Sequence, residues 1–211
     1  MPSFEFENKL KGKVVGIDEA GRGPWAGPVV AGAVVFLTEN IDEFLLRNLN
    51  DSKKLTAKKR EILYKKLFDC RDEGKILIGI GQSSAKEIDE INILQATFLA
   101  MNRAVAALER KPDYALVDGN QKPKGLICDC QALIKGDALS YSIAAASIVA
   151  KVYRDRLMTD LADKYPYYGF EKNAGYGTKL HIEGLQRYGI IEGIHRQSYR
   201  PIQEIIQNKI A

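Results

Sequence analysis

The sequence predicts a mixed α/β fold, a central sheet flanked by helices, and three features carry that expectation. Two valine-rich runs, Val14–Ile17 and Val29–Leu37, stand near the start with Gly-Pro punctuation between them, the composition and spacing of adjacent strands. Further on, Leu94, Phe98, Met101, Val105 and Leu108 recur at steps of four and three, the mark of one buried helix face. Strand-like runs come first and helix-like runs interleave with them later, which is the order of a layered α/β sheet.

The chain has 211 residues, enough for one substantial core, so residues 1–211 are expected to form a single domain with about 165–211 as its C-terminal segment. With 31 basic and 27 acidic residues the formal net charge is only +4; a polyanionic partner must be argued from local clusters and not from bulk charge. Three cysteines, an odd number in a chain this long, speak against a disulfide framework and for a reducing compartment. The opening MPSFEFENKLKGK lacks an apolar run beside its basic residues, and no apolar stretch approaches membrane-spanning length, so the expectation is a soluble cytoplasmic protein with no membrane partner.

After the two opening strands, DSKKLTAKKREILYKKLFD offers Asp51 or Ser52 as a helix cap, with Leu55, Ile62, Leu63, Leu67 and Phe68 on one face and lysines on the other. KILIGIGQSSA reads as a third strand, followed by the helix in NILQATFLAMNRAVAALER. PDYALVDGN and LICDCQALIKGDAL are two further strand candidates, ending at Asp118 and near Asp137. SYSIAAASIVAKVYRDRLMTDLADKY is apolar and small-sided at first, then amphipathic, which predicts a helix whose early turns lie under the centre of the fold and which Pro166 ends. The remainder is rich in glycine, tyrosine and basic residues, with a short helix expected from Lys179 to Tyr188.

Four acids occupy these junctions. Asp18 and Glu19 close the first strand; neighbours within a strand point to opposite faces, so both can serve one site only from the strand end, just before Gly21. Asp118 and Asp137 sit at the ends of later strands, and the ends of neighbouring strands converge. Four carboxylates at one sheet edge repel one another unless a cation intervenes, and oxygen-only ligands select hard divalent ions such as magnesium or manganese. Each acid alone also has a local reading: Asp118 shaping a turn with Gly119 and Asn120, Asp137 capping the next helix, Glu19 merely exposed. Beside the first pair, Gly21-Arg22-Gly23-Pro24 can bring backbone N–H groups close to a ligand, with Arg22 offering charge to a phosphate. A Walker-type phosphate loop is excluded because no Gly-Lys-Ser/Thr follows, and GIGQSSA lacks the third glycine of a dinucleotide fingerprint.

DEAGRGP, DSKKL, LVDGN, KGD followed by SIAAASIVAKV, and GYGT stand here in that order between about Val14 and Pro201. In this the chain resembles the ribonuclease HII family, the type 2 ribonucleases H of bacteria and archaea. The resemblance implies a ribonuclease-H-like fold, and an endonuclease that hydrolyses the RNA strand of RNA–DNA hybrids and nicks 5′ to ribonucleotides embedded in duplex DNA, leaving 3′-hydroxyl and 5′-phosphate ends. It implies four acidic ligands at Asp18, Glu19, Asp118 and Asp137 for two divalent ions, Mg2+ or Mn2+. It further implies that Gly21, Arg22 and Gly23 read the 2′-hydroxyl largely through their backbone, and that Tyr176 packs against the sugar on the 3′ side of the cut. Many members carry His-Lys immediately before GYGT; here Asn173-Ala174 takes that place and removes a cation near the product end.

Lys53, Lys54, Lys58, Lys59 and Arg60 form a basic cluster, with Lys151, Arg154 and Arg196 as further candidates for phosphate contacts. Lys53 is favoured because it lies in DSKKL; a solvated helix face is the alternative for Lys58, Lys59 and Arg60. Cys128 and Cys130 read as small buried residues, and His181 and His195 either edge the site or make structural hydrogen bonds. A sliding clamp is a possible partner for the tail SYRPIQEIIQNKIA, and nothing in the sequence demands more than a monomer. Two other functions remain open at this level: a module that binds hybrids or junctions without cutting, and another nuclease of the same fold acting on DNA.

Overall fold

The computed structural model describes residues 2–49 and 55–210, with side chains as far as Gln207. A five-stranded sheet forms its centre, built from β1 (Val14–Ala20), β2 (Val29–Phe36), β3 (Ile76–Ser83), β4 (Tyr114–Asp118) and β5 (Asp129–Leu133). Spatial order is β3-β2-β1-β4-β5. The first three strands pair antiparallel, while β1, β4 and β5 run parallel to one another, so the sheet is mixed, as the sequence predicts. Ile17 pairs with Val117 across β1 and β4, and Asp118 pairs with Leu133 across β4 and β5.

The helices are α1 (Glu5–Asn8), α2 (Glu43–Asn48), α3 (Ala57–Asp72), α4 (Ala85–Ala106), α5 (Tyr141–Lys164), α6 (Phe170–Asn173), α7 (Lys179–Tyr188) and α8 (Arg200–Ile210). None of the described helices is long and apolar enough to cross a membrane. One face of the sheet packs Val15, Ile17, Ala31 and Ala33 against Phe98, Met101, Ala104 and Val105 of α4. The opposite face packs Val34 and Ile76 with Leu45, Leu63 and Leu67 of α2 and α3 and with the Ala144–Ala146 run of α5. Residues of β1 with odd numbers therefore face α4, and those with even numbers face α5.

Close approach explains both the alanines of α5 and the glycines opposite them. A Cβ on Gly16 would stand 2.2 Å from the Ser142 carbonyl carbon, and one on Gly32 would stand 2.5 Å from the Ala146 oxygen, distances no side chain tolerates. α1 is tied to the start of this helix: Ser140 Oγ, Ser142 N and Ser142 Oγ all donate to Glu7 Oε1 at 2.7–3.0 Å. A smaller third cluster, Ala26, Met158, Tyr168, Phe170, Leu185 and Ile202, joins the end of α5 to the C-terminal segment.

Two boundaries depart from the sequence expectation. The cap of α3 is Thr56, whose side chain accepts from Lys59 N; Asp51 and Ser52 lie outside the described residues. α4 begins at Ala85, seven residues ahead of the expected start, because Ser84 and Glu87 close a reciprocal capping box. Asn92 then breaks the helix at φ 67°, and its Oδ1 accepts from Leu94 N and Gln95 N, starting the second half afresh.

Asn92 is suited to that break because it tolerates the left-handed region and carries its own capping oxygen. Asn92→Ala, which lacks both properties, is expected to lower stability by roughly 1–2 kcal/mol, and Asn92→Gly by only a few tenths. Urea unfolding of the two variants checks this, and equal losses would contradict it.

Candidate active site

The parallel strands β1, β4 and β5 bring their carboxyl ends to one edge of the sheet, the usual place for a site in such a fold. Asp18 is buried, at 6% exposure, and its Oδ1 accepts from Glu19 N at 2.7 Å and its carboxylate from the Ser147 side chain. Burial first, then the charges of Glu19 and Asp118, hold its carboxyl well above the usual carboxylate range. Asp118 follows the residue paired with Ile17 and so stands beside Asp18; its Oδ1 accepts from Gly136 N at 2.7 Å. Asp137 is the next residue, carried on a single 3-10 turn, Gly136–Ala138, that follows β5.

Asp18 and Glu19 lie inside β1 and not beyond its end, which corrects the sequence expectation. Hydrogen bonding to β2 continues through Ala20, so alternation is retained: Asp18 faces α5 and Glu19 faces α4. Glu19 lines a small cavity of about 60 Å³ with Thr97, Phe98 and Asp118, and pairs with Arg22 at 3.3 Å. Accordingly, among the described residues, no three acidic, histidine or cysteine side chains converge closely enough to hold one ion as they are placed. The donor chemistry fits a hard divalent cation nevertheless: the buried Asp18 carboxylate feels the charges of Glu19 and Asp118, the acids offer oxygen ligands, and among the described residues no basic side chain is one of the groups that shift Asp18.

Next to the acids lies a cleft of about 230 Å³ lined by Glu19, Gly21, Arg22, Gly23, Lys151 and Tyr176, with Arg154 beneath. Gly21 has φ +95°, and a Cβ there would meet Arg154 Nε at 2.0 Å; both the backbone and the space demand glycine. Gly23 differs, since a Cβ would only touch Tyr176 at 3.4 Å. Its bareness leaves room in the cleft and is not required by the fold. Tyr176 is half exposed at its rim.

Arg154 and Arg196 are not free to bind phosphate, contrary to expectation. They are 1% and 0% exposed. Arg154 donates to the carbonyls of Ala26, Pro28 and Ala174 at 2.9–3.1 Å, and burial pushes its guanidinium down to about 10. Arg196 donates to the carbonyls of Gly21, Arg22 and Gly27, and burial lowers it too. Their basic character signalled a surface role, whereas the irregular loop between β1 and β2 has more carbonyls than N–H partners and draws them inward. Of the other candidates, Lys53 and Lys54 lie outside the described residues. Lys58 is exposed, Lys59 half-buried, and Arg60 turns inward to the Leu55 carbonyl and toward Asp155. Lys151 lines the cleft while paired with Asp155 at 2.6 Å.

His181 and His195 form a buried pair with Nε2 atoms 3.0 Å apart, between Tyr168 and Phe170. His181 Nδ1 contacts the Tyr176 carbonyl and His195 Nδ1 accepts from Ile191 N. Their role is to brace the segment that carries Tyr176. Asn173 does the same: its Nδ2 donates to the Tyr168 carbonyl and its Oδ1 accepts from Gly175 N. Cys128 and Cys130 are free, half-buried thiols packed on the α4 side of the core.

The family model described as Ribonuclease HII matches residues 15–201. A ribonuclease HII of a Wolbachia from Brugia malayi is 52% identical over 201 residues, 95% of this chain and 94% of the relative. The ribonuclease H2 crystal structure from Pyrococcus horikoshii OT3 superposes with TM-score 0.75 at 33% identity, covering 93% of this chain and 98% of that one. A PCNA:RNase HII complex from Archaeoglobus fulgidus gives 0.63 at 26%, with 89% and 95% covered. Bst RNase HIII, solved in complex with Mn2+, shares the fold at TM-score 0.73 and 16% identity, covering 99% of this chain and 74% of that one.

The histidine pair makes stability depend on pH. Burial and the neighbouring His181 lower His195 from its ordinary 6.5 to about 4. Between those values the unfolded chain binds a proton that the folded protein refuses, so the contribution is intact above about pH 6.5 and is lost as pH falls toward 4, by about 1.4 kcal/mol per pH unit. The stability difference between the wild type and His195→Asn should shrink in that window, as measured by urea unfolding at pH 7, 6 and 5; a constant difference would contradict it.

Proposed function

The chain belongs to the ribonuclease HII family, and from that premise we propose a metal-dependent endonuclease that hydrolyses the RNA strand of RNA–DNA hybrids and nicks duplex DNA 5′ to an embedded ribonucleotide. The observation that carries the reading is the buried Asp18 carboxylate, raised by the charges of Glu19 and Asp118 at the carboxyl edge of two parallel strands, beside an open loop of glycines.

Asp18, Glu19, Asp118 and Asp137 would hold Mg2+ or Mn2+. A bound pair of such ions supplies activation of the attacking water and neutralisation of the leaving 3′ oxygen. The chain itself orients and discriminates. Because Asp18 and Asp118 are set by strand pairing, their carboxylates share one level of the sheet edge, and side-chain rotation on that fixed backbone completes the ligand set. Asp18 is kept as an acceptor by Glu19 N and Ser147. Lys151 and Arg22 present positive charge to the phosphate in the cleft.

Discrimination against plain DNA falls to the 2′-hydroxyl, the one group that separates the two sugars. Gly21, Arg22 and Gly23 read it through their backbone, and Tyr176, opposite Gly23, packs against the next sugar. Lys53, in the DSKKL motif, adds a phosphate contact. Residues 1–211 act as one domain, with 165–211 contacting substrate. The substrate and the three free thiols are in keeping with a cytoplasmic protein, and a sliding clamp is the protein partner to test for the tail.

A DNA duplex containing one ribonucleotide, incubated with the protein and Mg2+ or Mn2+, should be nicked 5′ to that ribonucleotide, with 3′-hydroxyl and 5′-phosphate ends and an uncut all-DNA control. Equal cutting of both duplexes, or none with either metal, would sink the proposal. Asp118→Asn removes a ligand's charge at nearly constant shape; it should slow cutting by roughly two orders of magnitude or more while binding is kept. Gel assays of both properties decide, and normal cutting would remove Asp118 from the ligand set.

A further inference from the structure

We propose that Arg196 and Tyr199 are positioning residues that set the sugar-reading loop, and so determine how well a ribonucleotide is told from a deoxyribonucleotide. The inference rests on the reading of Gly21–Gly23 given above and names the groups that make that reading possible.

Arg196 lies in the C-terminal segment, 174 residues along the chain from Arg22, yet its guanidinium is turned onto the loop. Nη2 donates to the Gly21 carbonyl at 2.6 Å and Nη1 to the Arg22 carbonyl at 2.8 Å, while Nε and Nη2 share the Gly27 carbonyl at 3.0 and 2.9 Å. Nη1 also reaches Tyr199 Oη at 2.9 Å, and that hydroxyl donates to the same Arg22 oxygen at 2.7 Å. The backbone joins in, with Arg196 N donating to the Trp25 carbonyl and Gly27 N to the Ile194 carbonyl. All these partners are neutral, and the residue is fully buried.

The consequence follows from peptide planarity. In a trans peptide the carbonyl of one residue and the N–H of the next point in opposite directions. A guanidinium that draws in the carbonyls of Gly21 and Arg22 therefore turns the N–H groups of Arg22 and Gly23 the other way, into the cleft lined by Gly21, Arg22, Gly23 and Tyr176. Among the described residues neither N–H has a protein acceptor. Two adjacent donors, fixed from behind and open in front, suit a hydroxyl oxygen and offer nothing to a deoxyribose carbon.

Only arginine has five donors in a rigid fork able to hold three carbonyls at once; lysine is a single point of charge. Tyr199 supplies a second donor to the Arg22 oxygen, so removing its hydroxyl loosens the plane ahead of Gly23 without emptying the space.

The test compares Tyr199→Phe and Arg196→Lys with the wild type, measuring in calcium the dissociation constants for a duplex carrying one ribonucleotide and for the same duplex in all-DNA form, together with melting temperature. The wild type should prefer the ribonucleotide duplex. Tyr199→Phe should lower that preference roughly 5-fold and Arg196→Lys by roughly 10-fold or more, Tyr199→Phe with little change in melting temperature. A merely structural role would lower melting temperature and both affinities together, leaving their ratio unchanged. Should Arg196→Lys fail to fold, Tyr199→Phe decides alone. A wild-type preference that survives Tyr199→Phe overturns the positioning role only; a wild type without preference overturns sugar reading itself, and this inference with it.

Discussion

Everything at the candidate site depends on the register between β1 and β4. Ile17 opposite Val117 puts Asp18 beside Asp118 on one face, and a slip of one residue would send one of them to the other side of the sheet. The pairing is held by apolar residues buried on both faces, Val15, Ile17, Ala115, Leu116 and Val117 among them. Carboxylates that repel one another are thus kept together by strands with no choice of partner. The strain of that arrangement shows in Asp18, whose carboxyl is held well above its ordinary range by burial and by its acidic neighbours. On the proposed reading a cation would relieve that repulsion, and the fold would hold its ion site at some expense to its own stability.

The second constraint is the loop between β1 and β2. It cannot pair its carbonyls within the sheet, and Gly21 and Gly27 bend it through positive φ. Burying a guanidinium is unfavourable unless its donors are satisfied. Arg154 meets that condition with the carbonyls of Ala26, Pro28 and Ala174, and Arg196 with those of Gly21, Arg22 and Gly27 and with the Tyr199 hydroxyl. Each side thus satisfies the other, and the C-terminal segment is fastened over the loop as a result. The histidine pair and Asn173 extend the same bracing to Tyr176.

The sheet and its helices were largely legible from residues. Valine content and Gly-Pro punctuation mark β1 and β2, and the Lys179–Tyr188 helix falls where its pattern indicates. β4 ends at Asp118 where its pattern indicates, and the order of motifs identified the family. What escaped was what depends on partners far along the chain. Ser84 and Glu87 did carry a readable capping signal, S-x-x-E, masked by the strand pattern before it. Arg154 and Arg196 carried none: an arginine that binds phosphate and one that binds carbonyls look alike until the loop they support is seen. The alternation of Asp18 and Glu19 was misjudged for a related reason, since how far β1 extends is set by β2 opposite it.

Placing the two functions on one short segment has a physical logic. Asp18 and Glu19 lie among the last paired residues of β1, whose position the whole sheet fixes, while Gly21–Gly23 begin a loop that two buried arginines hold. Only Ala20 separates them, so neither part can move without the other feeling it. If the acids hold the metal and the loop reads the sugar, as proposed, the two would be coupled through rigid backbone, and an ill-fitting sugar at Gly23 would displace the phosphate relative to Asp18 and Asp118. Misplacement by about 1 Å at such a centre slows reaction by roughly 100-fold, so such a coupling would turn a weak preference in binding into a larger preference in cutting. Specificity of this kind needs no large contact with the base, only a loop stiff enough to transmit the misfit, and neutral carbonyls locked onto guanidinium forks supply that stiffness.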